Sequence, residues 1–209
     1  MTKTFLSIII PAKNEAERLP MIIADIDKRL GKFPFVSEIV VASYGSTDET
    51  PEIVKKMSKA LNNLKLVISE ENKGEGSAIR QGMLLSSGEI KLITNIENSV
   101  KVDQFENMRS HFGVGTEVVL GKRIRDKDFL HSLLANPKIF ATVAANFGLR
   151  KLFFKDYSDP TSYFCAFTSS AAEKIFEGFK NPGRFHQIET LKLIKNSGLK
   201  TKEAEVLVS

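Results

Sequence analysis

The chain has 209 residues, a formal charge of +5 and one cysteine. That length supports one sizeable domain with its own core. The lack of any apolar run of about 18 residues excludes a membrane-spanning helix, and the lone Cys165 excludes an internal disulfide and suits a reducing compartment. The modest basic excess suits anionic partners such as nucleotides, phosphates or membrane surfaces. No basic run carries interleaved aromatics, so nucleic acid is not an expected partner.

In chain order, Met1 to Phe5 lacks the apolar stretch of a signal peptide. It leads into Leu6–Pro11, a continuous apolar run that predicts a buried strand. Leu19, Ile22, Ile23, Ile26 and Leu30 recur at helical spacing and Gly31 ends the helix. Glu38–Ala42 is a second strand. Asp48 and Thr50 are candidate caps for a helix carrying Ile53, Val54 and Met57, with Pro51 in its first turn. Leu64–Ser69 reads as a strand, Gly76–Ser86 as a helix ended near Gly88, Ile90–Thr94 as a strand, Val102–Phe112 as a helix and Glu117–Leu120 as a fifth strand.

This alternation predicts a largely parallel sheet with helices on both faces and ligand-binding loops after the strand ends. The segments to search are therefore Pro11–Glu15, Ser43–Thr50, Asn72–Gly76 and Asn95–Ser99. Further on, Phe129–Phe154 reads as an apolar helical stretch broken near Pro137, with Lys138, Arg150, Lys151 and Lys155 interspersed. Such a stretch suits a membrane interface, a lid on the sheet or a dimer face. Phe164–Thr168 is a strand, Ala171–Phe176 and Ile188–Ser197 are helices, Gly198 is a stop, and Lys202–Val208 alternates as a last strand. No linker or repeat divides the chain, so residues 1–209 form one domain.

Five stretches, in order, carry a family resemblance. They are S-I-I-I-P-A-K-N-E from Ser7, E-I-V-V-A-S-Y-G-S-T-D-E-T from Glu38, N-K-G-E-G-S-A-I-R-Q-G from Asn72, G-K-R from Gly121 and D-P-T-S-Y-F-C-A-F from Asp159. Glu189, followed nine residues later by Gly198, adds a late helix. Together they resemble the family-two glycosyltransferases of GT-A fold, nearest to the dolichyl- or polyprenyl-phosphate glucose and mannose synthases. Their patterns are S-V-V-I-P-A-Y-N-E, E-I-I-V-V-D-D-G-S-T-D-G-T, N-R-G-K-G-A-A-V-R-x-G, G-S-R and D-T-Q-C-G-F-K-A-F.

The resemblance implies an α/β GT-A fold, a Rossmann-like mostly parallel sheet flanked by helices. Residues 1–100 would form the nucleotide-sugar half and 101–209 the acceptor half. It implies transfer of a hexose from a UDP-glucose- or GDP-mannose-type donor to a polyprenyl-phosphate-like acceptor, by a cytoplasmic protein peripheral at a membrane face. Pro11, Asn14, Glu15 and Gly45 would hold base and ribose, with backbone amides at Asn14–Glu15 and Gly45–Ser46 presented to the ligand. Lys73 and Gly74 would approach the phosphates; a plain turn before a helix is the alternative. For Asp48 and Asn14, simple capping is the alternative. Arg80 reaches the nucleotide or lies on a solvated helix face. Arg123, just after a strand, would clamp the acceptor phosphate, with Arg125 and Lys138 as weaker candidates and Asp159 shaping the acceptor side. On this reading Arg123→Ala abolishes transfer without disturbing the fold. The synthases continue past the point matching Ser209, so a further acceptor-side arginine or anchor is expected to be missing here.

The pattern also breaks. The paired aspartates after the second strand are Ser43 and Tyr44, and the D-x-D after the fourth is Asn95-Ile96-Glu97. Glu97 with Asn95 is left as the set for Mg²⁺ or Mn²⁺. The late acidic residue is Gln187, beside His186. His186 is a candidate substitute base or simply a core histidine. These losses favour, as an alternative, a catalytically impaired member that acts as a binding or regulatory module.

Overall fold

In a computed structural model, the structure describes residues 3–69, 74–97, 100–124, 147–148, 151, 154–180, 183 and 186–208. Lys73, Arg125, Lys138, Arg150 and most of the 129–154 stretch lie outside the described residues.

Among the described residues, seven strands form one sheet in the order β3-β2-β1-β4-β6-β5-β7. They are β1 (Leu6–Ala12), β2 (Ser37–Tyr44), β3 (Leu64–Ser69), β4 (Ile90–Ile93), β5 (Val118–Ile124), β6 (Cys165–Thr168) and β7 (Thr201–Leu207). The helices are α1 (Leu19–Leu30), α2 (Thr50–Met57), α3 (Glu75–Leu85), α4 (Phe105–Phe112), α5 (Ser169–Glu177) and α6 (His186–Ser197). Strands β3, β2, β1 and β4 pair in parallel, and only β6 runs antiparallel to its neighbours.

Every residue of β1 is buried, as a central parallel strand covered on both faces requires. Its period of two feeds two cores. Leu6, Ile8 and Ile10 join α1 and α4 through Ile23, Ile26, Phe105 and Met108, while Ile9 joins α3, α5 and α6 through Ile79, Ile175 and Leu191. Helix α1 buries Leu19, Ile23, Ile26 and Leu30, one stripe at helical spacing, and places Lys28 and Arg29 in its last turn where the dipole favours cations.

Three of the boundaries that differ from the sequence expectation have an evident physical cause. The predicted 102–112 helix starts as a 3-10 turn over Val102–Gln104 before α4. Strand β5 runs to Ile124 because parallel pairing with β7 continues through Lys122, Arg123 and Ile124. Arg123 therefore sits in the strand, not after it. Helix α3 opens at Glu75, since Gly74 takes φ 108 and ψ −177, a backbone state open in practice to glycine alone, and breaks the helix just before it.

At the far end of the strands, the buried Glu38 carboxylate accepts from Ser7 Oγ at 2.6 Å and from Ser87 N at 2.6 Å, with Lys65 Nζ 2.6 Å away. Burial alone would push this carboxyl up, but those donors outweigh it and hold it below the usual range. Gly88 closes the knot: its N donates to Ser7 Oγ at 2.8 Å. A Cβ at Gly88 would lie 2.6 Å from Ser7 N and 2.8 Å from the Ile90 carbonyl oxygen. Because these neighbours are backbone, Gly88→Ala should cost about 2–3 kcal/mol in urea unfolding. Gly113, at φ −64 with its nearest neighbour 3.6 Å from such a Cβ, should tolerate alanine with no loss. Equal stabilities for the two variants would contradict this packing.

Candidate active site

The loops that follow β1 and β2 grip one another. Asn14 N donates to Ser46 Oγ at 3.2 Å, Glu15 N to Thr50 Oγ1 at 2.8 Å and Ala16 N to Asp48 Oδ2 at 3.0 Å. In return, Thr47 N donates to Asn14 Oδ1 at 2.8 Å. Asp48 Oδ1 accepts from both Thr50 Oγ1 and Thr50 N, and these bonds, with the one from Ala16, hold its carboxyl below the usual range. Asn14 adopts φ 55 and Gly45 φ 53 to make the turns.

The amides of Asn14 and Glu15 are thus engaged by side chains of the neighbouring loop, which corrects the expectation that they are presented to a ligand. Asp48 acts as a clamp between α2 and the first loop. Asn14 and Gly45 shape the site from behind and do not line it.

In front of this latch lies a cleft of about 290 Å³, lined by Pro11, Lys13, Glu15, Tyr44, Glu75, Asn95, Ile96, Glu97 and Tyr163. It sits beyond the carboxyl ends of β1, β2 and β4, where chain connections leave β1 and β4 in opposite directions, the usual binding place in such sheets. The structure therefore brings Pro11, Glu15, Asn95 and Glu97 together as expected. Gly74 stands next to Glu75 at its edge. Arg80, further along α3, does not line it. Glu15 is held by a two-pronged bond from Arg18, at 2.9 and 2.7 Å. Lys13 Nζ lies 6.0 Å from the centre of the Tyr44 ring, so where the family pattern has an aspartate this chain has an aromatic under a cation. Ser43 is buried and its hydroxyl lies 3.1 Å from Ser46 Oγ, inside the latch.

Three lining residues were not legible from sequence. Lys13 stood inside a motif without a signal of its own. Glu75 and Tyr163 acquire their meaning only across 88 residues, where the Tyr163 hydroxyl donates to Glu75 Oε2 at 3.3 Å. Burial, with Glu75 nearby, pushes the Tyr163 phenol far above its ordinary value, so it stays protonated. His186 Nε2 lies 3.8 Å from the same Glu75 oxygen and has no hydrogen-bond partner among the described residues. Burial pushes His186 down to about 4, so it is neutral and a weaker base than a free imidazole. With 3% exposure it is a core histidine, not a substitute base.

Tyr163 also lines two narrower cavities. One holds Asn95 and Arg123; the other holds Ile93, Leu120, Pro160, Leu191, His186 and Gln187. On that side Arg123 and Asp159 meet. Arg123 Nε is 2.6 Å and Nη2 2.8 Å from the two Asp159 oxygens, and Nη2 also donates to Thr161 Oγ1 at 2.7 Å. Gln187 Nε2 donates to the Thr161 carbonyl at 3.4 Å. Among the described residues, no group of three His, Cys, Asp or Glu side chains converges to hold a metal.

Residues 7–176 match the sequence profile of Glycosyl transferase family 2. The chain belongs to this family. It is 26% identical over 221 aligned residues to a dolichyl-phosphate beta-glucosyltransferase of Drosophila melanogaster, covering 96% of this chain and 66% of that one. It is 31% identical over 133 residues to one from Trichomonas vaginalis, covering 59% and 41%. It spans about a third to two thirds of the length of such relatives. Among solved structures it resembles glucosyl-3-phosphoglycerate synthase of Mycobacterium tuberculosis in complex with Mn²⁺, UDP-glucose and phosphoglyceric acid, with TM-score 0.67 and 18% identity over 98% of this chain and 71% of that one. Mannosyl-3-phosphoglycerate synthase from Rubrobacter xylanophilus gives TM-score 0.64 and 14% identity, over 99% and 67%. The fold is the GT-A glycosyltransferase fold.

The Arg123–Asp159 pair overturns the expectation that Arg123→Ala is silent for folding. The side chains are 17% and 7% exposed, and removing one strands the other's buried charge. Arg123→Ala should destabilise by about 3 kcal/mol, and by much less in an Asp159→Ala background. Additive costs in urea unfolding of the two single variants and the double variant would contradict the coupling.

Proposed function

We propose that the chain is a glycosyltransferase that moves a hexose from a nucleotide sugar, of UDP-glucose or GDP-mannose type, to a polyprenyl-phosphate-like acceptor. The observation that carries this is the polar cleft of about 290 Å³ at the strand ends of a family-two chain, joined through Tyr163 to the Arg123 side. The relatives named as dolichyl-phosphate glucosyltransferases favour glucose and a polyprenyl phosphate.

In this reading the base and ribose lie against Pro11 and Glu15 in front of the latch, and the sugar points toward Tyr163. An acceptor phosphate oxygen attacks the anomeric carbon from the face opposite the diphosphate. A new carbon–oxygen bond forms as the bond to the diphosphate oxygen breaks, and the electron pair leaves on the nucleoside diphosphate. Arg123 orients the acceptor phosphate through Nη1, an edge that takes part in none of its bonds to Asp159 and Thr161. A phosphate acceptor is ionised near neutral pH and needs no base. That makes Gln187 tolerable where the family pattern has an acid.

Glu15, Glu75 and Glu97 line the cleft against Lys13, so a diphosphate entering it needs further positive charge. This donor set fits an Mg²⁺ or Mn²⁺ ion that arrives with the diphosphate and keeps several waters, held by Glu97 with Asn95. Such an ion offsets the charge on the leaving diphosphate. A lipid acceptor would bring the chain to a membrane surface as a peripheral protein. Among the described residues no helix is long and apolar enough to cross one.

The absence of carboxylates at Ser43, Tyr44, Asn95 and Gln187 favours a second reading, a binding module of the same fold. A transfer assay separates the two. Labelled UDP-glucose or GDP-mannose is incubated with dolichyl phosphate and Mn²⁺ or Mg²⁺. The enzyme reading expects labelled lipid, with Glu97→Ala slowing its formation about a hundredfold or more. No labelled lipid from either donor, in a protein that binds the nucleotide sugar, would establish the module.

A further inference from the structure

The cleft has two ends. At one, Pro11, Lys13, Glu15 and Tyr44 come from the loops after β1 and β2, and Glu15 is held by Arg18 from the same loop. At the other, Glu75 is held from the second half of the chain by the Tyr163 hydroxyl at 3.3 Å, while His186 Nε2 stands 3.8 Å away, beyond hydrogen-bond distance. Tyr163 faces the cleft, the Arg123 cavity and the apolar cavity at once. Glu75 therefore stands where the donor cleft meets the acceptor side. In the family pattern quoted above this position is a lysine, so the chain carries the opposite charge there.

A ligand that enters by the nucleotide loops and reacts toward Arg123 places one part at this junction, the sugar being transferred. The chemistry of Glu75 agrees. A carboxylate repels a diphosphate, and it accepts hydrogen bonds from vicinal hydroxyls, with each oxygen able to take one or more. The Tyr163 hydroxyl, already donating to Oε2, limits where the carboxylate can point, and a preset acceptor loses little freedom on binding.

We propose that Glu75 is the residue that reads the donor sugar: its carboxylate, positioned by Tyr163, accepts hydrogen bonds from the hydroxyls of the hexose and makes no contact with the nucleoside diphosphate. The inference rests on the nucleotide-sugar reading of the cleft.

The test is calorimetric titration, with Mn²⁺ present throughout, of wild type, Glu75→Gln and Tyr163→Phe. The probes are UDP-glucose against UDP and GDP-mannose against GDP. Wild type should bind one nucleotide sugar more tightly than its own diphosphate. Glu75→Gln should weaken that nucleotide sugar by about tenfold or more, the worth of a hydrogen bond to a charged group, and leave the diphosphate bound at least as tightly as in wild type, since a repelling charge is removed. Tyr163→Phe should shift the same ratio in the same direction by a smaller factor. The retained diphosphate affinity also serves as the control for folding. Equal weakening of sugar nucleotide and diphosphate would overturn the inference, because Glu75 would then serve the phosphates, an ion or the fold. No change in either would overturn it as well. Failure of wild type to bind any of the four probes would overturn the nucleotide-sugar reading itself, and this inference with it.

Discussion

The site depends on one constraint, the mutual hold of the loops after β1 and β2. Asp48 fastens the start of α2 to Ala16, Thr50 fastens Glu15, and Asn14 fastens Thr47. None of these residues needs to touch a ligand to matter. By fixing where Pro11 and Glu15 stand relative to Tyr44, they create one end of the cleft. They also consume the amides of Asn14, Glu15, Ala16 and Thr47, so recognition by this part of the loops falls to side chains and to the shape of the walls. Preorganisation of this kind lowers the ordering cost on binding.

The distribution of charge follows from that frame. Where the family pattern has two aspartates, Ser43 is folded into the latch and Tyr44 sits beneath Lys13. The acidic character of the cleft has not vanished with them. It stays at Glu97 on the loop after β4 and is added at Glu75 at the start of α3. Tyr163 then links the cleft to the Arg123–Asp159 pair, whose geometry is carried by β5 and braced by Thr161 and Gln187. The Arg123 side is thus a bonded unit whose members share stability as well as position.

Much of this was legible in the sequence, for physical reasons that also mark the limit. β1, α1 and β3 were read to within a residue, because a strand buried on both faces and a helix with one apolar stripe advertise themselves. The sheet's parallel character followed from the alternation of elements. The extension of β5 through Lys122 and Arg123 was not readable, since it comes from pairing with β7, some 80 residues away along the chain. The place of β6 between β4 and β5 is likewise a matter of long-range pairing. Pro11, Glu15, Asn95 and Glu97 come together in the cleft because loops after parallel strands converge. Asn14 and Gly45 stand in the expected loops but outside the cleft lining, because a motif does not say which groups its polar atoms already satisfy. Arg123 and Asp159 were both singled out, yet their union was not foreseen. Glu75, Tyr163 and His186 meet only in the folded chain.

The central claim is that the latched loops still form a donor site although the paired aspartates are gone. Thermal unfolding with UDP-, GDP- and dTDP-sugars, with and without Mg²⁺ or Mn²⁺, tests it most directly. Ligand at about a hundred times its dissociation constant adds about 2.7 kcal/mol, which for a domain of this size raises the midpoint by roughly 5–10 °C. The account predicts such a rise with one nucleotide class, larger with the metal than without. An unchanged midpoint with every nucleotide sugar, metal present or not, would contradict it.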